Sequence, residues 1–242
     1  DTPDQATWLD ENEKQALKTM ILREQESAFA HASVPRSTLR EVLTPAIMLY
    51  TLAYFCLTNT LSAINIWTPQ ILQSFNTGSS NIMIGLLAAI PQFCTIFGMI
   101  WWSRRSDRLK ERKKHTILPY LFAAAGWLLA SATDHSLIQL SGIIMASMGS
   151  FTAMAIFWTT PDQVISLQSR AVAMAVINAV GNVGSAVSPL LIGILKDATG
   201  SFSSGLWFVA GLLVLGALVM TRIPMGSREH SLSSELIAPK PQ

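Results

Sequence analysis

Tyr50, Thr51, Tyr54, Thr58, Ser62 and Asn65 recur at spacings that put them within one arc of about 120° on an otherwise apolar helix. Two more stripes follow in the chain. Ser147, Ser150, Phe151, Met154 and Trp158 share an arc of roughly 100°. Asn178, Asn182 and Ser185 share another. A polar stripe is costly against lipid and must face protein or water. Three aligned stripes can line one cavity, and the chemistry they offer there is hydrogen bonding rather than proton transfer. The competing use of the same residues is helix packing, because small residues four apart let helices approach closely. Gly142, Ala146 and Ser150 have that spacing, as do Gly181 with Ser185 and Gly184 with Ser188.

A second constellation is charged. The stretch from Gly98 to His115 gathers Arg104, Arg105, Asp107, Arg108, Lys110, Glu111, Arg112, Lys113 and Lys114. Basic residues alone would anchor the chain to anionic lipid. The embedded Asp107 points instead to an ion-pair network. Asp162, at the end of a later apolar tract on the same side, is expected to pair with Arg108 or Arg112.

Other chemistries find little support. Cys56 and Cys94 both lie in apolar tracts, where neither a disulfide framework nor a zinc site can be built from them. His31, His115, His135 and His230 all fall outside the apolar tracts, so a membrane-embedded serine hydrolase has no histidine. No Asp, Glu, Lys, Arg or His sits at the middle of a tract. A group that changes charge during proton coupling would therefore lie elsewhere. A net charge of +2 gives no reason to expect a nucleic-acid partner.

The elements that must hold these residues follow from where charge is missing. Of the 242 residues 50% are hydrophobic and 13% charged, against about 25% charged in soluble domains, and the mean hydropathy is +0.38. Residues 42–103 contain no Asp, Glu, Lys or Arg, and residues 115–221 contain five. About 20 apolar residues cross a bilayer as a helix. Punctuation by Pro, Gly and charge then predicts six spans, near Leu43–Ile66, Ile82–Trp102, Thr116–Thr133, Leu137–Trp158, Ala171–Leu195 and Gly205–Met220. Lys and Arg accumulate on the cytoplasmic side. With six spans, 16 of the 17 fall on one side and Lys196 alone on the other, which places both ends of the chain in the cytoplasm.

The expected organisation is a linker (1–40), a six-helix transmembrane bundle (41–222) and a Ser- and Pro-rich tail (223–242). An amphipathic helix is expected from about Asp10 to Ala30. The chain opens on Asp1, in a polar segment without the basic-then-apolar pattern of a signal peptide, so a piece of a longer protein is expected. Ile66-Trp-Thr-Pro-Gln70 and Phe157-Trp-Thr-Thr-Pro-Asp-Gln163 end oppositely directed helices, a faint sign of inverted repeats.

At these residues the chain resembles the C-terminal six-helix half of the major facilitator superfamily, in its anion:cation symporter family of the bacterial sugar-acid type, with L-rhamnonate-type permeases among them. Asp1-x-Pro3-x-x-Ala6-x-Trp8-Leu9 is similar to the stretch after that family's sixth helix. Ser106-Asp107-Arg108-x-x-Glu111-Arg112-Lys113-x-His115 resembles its repeated cytoplasmic loop motif. Phe157-Trp158 with Pro161, Asn178-x-x-Gly181-Asn182-x-Gly184, Pro189 and Lys196-Asp197-Ala-Thr-Gly200 resemble its tenth and eleventh helices.

The resemblance implies an all-α membrane protein of twelve helices in two bundles that rock about a central site. It implies uptake of an organic anion such as a sugar acid with protons across a bacterial inner membrane, with no cofactor and no enzymatic step. It implies a partner bundle, the N-terminal half, carrying the proton-linked acids. Tyr54, Trp158, Asn178 and Asn182 then become substrate contacts, since an indole gives a flat wall to a carbon skeleton and an amide bonds hydroxyls and carboxylates alike. Asp107, Arg108, Arg112 and Asp162 become a cytoplasmic gate, with Asp107 facing the partner bundle. The alternative is a self-sufficient six-helix protein that dimerises into a carrier or channel.

Overall fold

The computed structural model describes residues 10–30, 44–75, 78–109, 111–133, 135–165 and 167–224. The opening motif, most of the stretch before Thr44 and the tail from residue 225 lie outside the described residues. Within them the regular structure is helical: α1 (Glu11–Ala30), α2 (Pro45–Phe75), α3 (Asn81–Leu109), α4 (Arg112–Ser131), α5 (Ser136–Phe157), a single tight turn at Pro161–Gln163, α6 (Leu167–Gly181), α7 (Val183–Thr199) and α8 (Ser203–Arg222).

Among the described residues, five segments are long and apolar enough to cross a membrane: Pro45–Ser74, Asn81–Leu109, Ser136–Phe157, Ser169–Thr199 and Ser203–Arg222. The fourth of these joins α6 and α7. The span expected near Thr116–Thr133 is also a helix, but α4 opens on Arg112, Lys113, Lys114 and His115, so its apolar part is shorter. α1 forms as expected, with Leu17, Met20 and Ile21 exposed.

Two boundaries differ from the sequence expectation. α2 does not stop at Pro69 but runs on to Phe75. Proline removes one hydrogen bond, and here Ile71 and Leu72 beyond it are buried, so packing carries the helix through. The basic stretch is not a loop. Arg104 to Leu109 are the last turns of α3, and Arg112 onward is the first turn of α4. Ser106 in this stretch is fully buried, which fixes the charged turns against the bundle.

α2 is the central helix. It packs against α3, α5, α6, α7 and α8, and 67% of its span is buried, against 17% for α3. α4 packs against α5 and α8, and α3 packs against α5. Exchanging α2, α3 and α4 for α5, α6–α7 and α8 reproduces this neighbour pattern, except that α2 touches α3 without a comparable match. This neighbour pattern is compatible with a repeated three-helix unit.

The α4–α5 contact is backbone on backbone. A Cβ on Gly126 would come within 2.6 Å of the Gly142 carbonyl, and one on Gly142 within 2.6 Å of the Ala130 nitrogen. Gly149 lies equally close to the Pro119 carbonyl. Pro119 has no N–H for the His115 carbonyl four residues earlier, and the Trp102 indole of α3 donates to it instead, at 3.0 Å. Gly142→Ala is expected to force α4 from α5 and destabilise the bundle by about 1–3 kcal/mol. Gly211→Ala, where a Cβ would meet nothing within 4 Å, is expected to leave the melting temperature in detergent unchanged or raised.

Candidate binding site at an interrupted helix

The site is built where α6 passes into α7. The Ser185 N–H bonds the Asn182 carbonyl at 3.0 Å, one residue nearer than the α-helical partner, Gly181. Four residues beyond Ser185 stands Pro189, which has no N–H to offer the Ser185 carbonyl. Two carbonyls, Gly181 and Ser185, therefore look outside their own helix. Thr58 of α2 donates its hydroxyl to Gly181 at 2.7 Å, and Ser62, one turn on, donates to Ser185 at 2.8 Å. The four-residue spacing on α2 matches the four-residue spacing on the interrupted helix. Gly184 completes the contact, since a Cβ there would lie 2.6 Å from the Thr58 hydroxyl.

This junction sets the positions of Tyr54, Trp158, Asn178 and Asn182. The Tyr54 ring lies on Gly181, where a Cβ would overlap it. It stacks on Phe157 at 5.3 Å between centroids and meets Trp158 edge-on at 4.9 Å. The Tyr54 side chain thus sits between the Trp158 ring and the Gly181–Asn182 turn. Asn182 in turn donates its amide to the Asn178 side-chain oxygen, one turn back. All four sequence candidates are thus brought together.

Their exposure divides the work. Tyr54 is buried and acts as the wedge that orients its neighbours. Trp158 is half-buried, and Asn178 and Asn182 are exposed. The group is an open face offering an indole wall and two amides, which can donate to carboxylates and accept from hydroxyls. It is not a closed cavity, as three aligned stripes would have made.

Most of the remaining stripe residues serve packing. Thr58 and Ser62 cap foreign carbonyls. Ser150 bonds Thr60, whose hydroxyl also accepts the Trp127 indole N–H at 2.8 Å. Thr51 bonds its own helix at the Ile47 carbonyl, and Asn65 is exposed. Sequence reasoning missed Asn59, which is fully buried beside Gly184 with neither amide atom hydrogen-bonded. Asn59 lies off the polar arc. Its only sequence signal was an amide in the middle of an apolar tract.

The charged end pairs differently from expectation. Arg112 bonds Asp107 at 2.8 Å and reaches the Thr159 hydroxyl at 3.3 Å. Asp162 pairs with Arg170 at 3.2 Å, and Arg170 also donates to the Asp162 carbonyl at 3.1 Å. The expected link from Arg108 or Arg112 to Asp162 is not made. The reason is proximity: the short α3–α4 connection puts Arg112 beside Asp107, and the α5–α6 connection returns Arg170 to Asp162. Arg108 is exposed and lines a groove with Arg104, Arg105 and Trp101. Arg112 still joins the two connections through Thr159.

Comparison with known proteins agrees with this geometry. Residues 5–189 match the Major Facilitator Superfamily. The chain is 34% identical over 219 residues to a protein of Agrobacterium vitis named as a candidate tartrate transporter, covering 90% of this chain and 49% of that one. It is 31% identical over 243 aligned residues to a quinolone resistance transporter of Acinetobacter baumannii, covering 100% of this chain and 55% of that one. It is 24% identical over 221 residues to the inner membrane transport protein RhmT of Escherichia coli, covering 91% and 50%. The chain spans about half the length of the curated relatives it matches. On this match and on its helical architecture, the chain belongs to the Major Facilitator Superfamily.

Proposed function

We propose that the chain is the C-terminal six-helix half of a twelve-helix secondary carrier that takes up a small organic anion, such as a sugar acid, by alternating access. In this reading α4 is a crossing as well, the third in chain order, and it brings the total to six, with its basic first turn at the membrane boundary. Both ends of the chain face the cytoplasm of a bacterial inner membrane, as the distribution of Lys and Arg supports. The relative named as a candidate tartrate transporter supports the substrate class. Coupling to protons is carried by groups outside the spans described above.

The observation that carries the reading is the convergence of Trp158, Asn178 and Asn182 on an open face beside an interrupted helix. A short tightened turn inside a long helix often marks a functional position. A face open on one side suits a site completed by a second bundle. α3 also supports that second bundle, since Leu86, Ile90, Phe93 and Phe97 are all exposed along it. The amides of Asn178 and Asn182 hold hydroxyls and carboxylate oxygens while the Trp158 ring lies along the carbon skeleton. Tyr54 packs against Trp158 and Gly181, and the bond to Asn178 orients the Asn182 amide.

At the cytoplasmic end the Asp107–Arg112 pair and the Arg112–Thr159 bond tie the α3–α4 and α5–α6 connections together. Each exposed pair gives about 0–1 kcal/mol, so the gate needs several such contacts acting together. They favour one state only if they break in the other.

Two outcomes are expected in the complete carrier. Asn182→Ala should raise the KM for tartrate uptake about tenfold, as losing one or two hydrogen bonds would, with protein level unchanged. Unchanged uptake kinetics would remove Asn182 from the site. Asp107→Asn should increase labelling of cysteines placed at the cytoplasmic ends of α3 and α5. Unchanged labelling with unchanged transport would leave this charged end as a topology anchor.

A further inference from the structure

The end of the bundle opposite Asp107 and Arg112 carries a polar cavity of about 470 Å³. The last turn of α2 contributes Gln70 and Ser74, the first turn of α5 contributes Gln139, and the last turn of α7 contributes Lys196. The α7–α8 turn supplies its wall, through Ser201 and Ser203 among others. That turn is tightly built. Gly200 takes a left-handed conformation (φ +73°) and gives its N–H to the Lys196 carbonyl at 2.7 Å. The Thr199 and Ser204 hydroxyls bond at 3.0 Å, as do those of Ser201 and Ser203 at 3.1 Å.

Among the described residues, two groups in this cavity lack the partner their chemistry calls for. The first is Lys196, the one Lys or Arg assigned to this side of the membrane by sequence. Its ammonium is cradled by aromatic faces, 4.4 Å from the Phe202 ring centroid and 5.9 Å from that of Trp67. Aromatic faces hold a cation without neutralising it. Among the described residues no carboxylate pairs with Lys196. The second is Gln139, which is only 2% exposed. Its amide nitrogen donates to the Thr133 carbonyl, which fixes the amide orientation, so the atom left over is the oxygen. That oxygen is buried and accepts no hydrogen bond.

We propose that this cavity is a second ligand site, at the outer mouth of the bundle, for a small hydroxylated carboxylate. Lys196 pairs with the carboxylate, and the Gln139 oxygen accepts a hydrogen bond from a hydroxyl. Cation and acceptor in one cavity select against both a neutral polyol, which lacks the charge, and a plain dicarboxylate, which lacks the hydroxyl. The site is inferred from its own residues. Its role as a capture point before the Trp158–Asn182 face rests on the carrier reading above.

The test is equilibrium binding by calorimetry on the complete purified carrier, with L-tartrate as probe and erythritol and succinate as comparisons. Asn182→Ala provides a background in which the inner face is weakened. In that background L-tartrate should still bind, and adding Lys196→Met should weaken it about tenfold, the loss of one charge-assisted bond. Lys196→Arg should retain binding, which separates charge from folding. Gln139→Leu should weaken L-tartrate and leave succinate unchanged. Equal L-tartrate affinity with and without Lys196→Met in a protein of unchanged melting temperature would overturn the site. If the wild-type carrier shows no tartrate uptake but Lys196-dependent binding persists, the carrier reading fails and the outer site stands.

Discussion

A backbone carbonyl that its own helix cannot satisfy must be satisfied by a neighbour wherever water is excluded. Gly181 and Ser185 are two such carbonyls, released by the short turn at Asn182 and by Pro189. Thr58 and Ser62 answer them from α2. This pair of bonds fixes the register of the interrupted helix on the central helix. The glycine surface under the Tyr54 ring and the Asn182–Asn178 bond both follow from that register. The same device recurs on the other side of the bundle, where Pro119 releases the His115 carbonyl and the Trp102 indole meets it. Proline in these helices joins elements together as much as it interrupts them.

Energetically these bonds are small. Hydrogen bonds between membrane helices average about 0.6 kcal/mol. The close glycine contacts of α4 with α5 bring the two backbones together, through packing too tight for a methyl group. The hydroxyl-to-carbonyl bonds supply position. That division explains why side chains of similar polarity do different things. Ser150 is locked to Thr60 inside the packed core, whereas Asn178 and Asn182 stay open on a face.

Much of this was legible in the sequence. The gaps in charge located the apolar helices, and the four-residue spacing of Gly142 and Ala146 announced a close helix contact that the backbone distances bear out. The stripes also brought Tyr54, Trp158, Asn178 and Asn182 to one place. Three features were hidden. The interruption at Asn182 sits in a continuous apolar tract, and only the pairing of Ser185 with Asn182 exposes it. The helical ends that run past Pro69 and Trp102 depend on buried Ile71, Leu72 and Ser106, which periodicity within one helix does not reveal. The ion pairs depend on how short connections return the chain. Sequence spacing alone gave Asp162 the wrong arginine.

The central claim is that the α2 hydroxyls substitute for backbone donors missing from the interrupted helix. A double-mutant cycle between Ser62 and Pro189, read as unfolding free energy in detergent, tests it most directly. In the wild-type background Ser62→Ala should cost on the order of 0.6–1.7 kcal/mol, the range of such bonds in membranes. Once Pro189→Ala supplies an N–H four residues beyond Ser185, the same Ser62→Ala should cost close to nothing. An equal cost in both backgrounds would mean that Ser62 contributes by packing alone, and the account of the interrupted helix would be wrong.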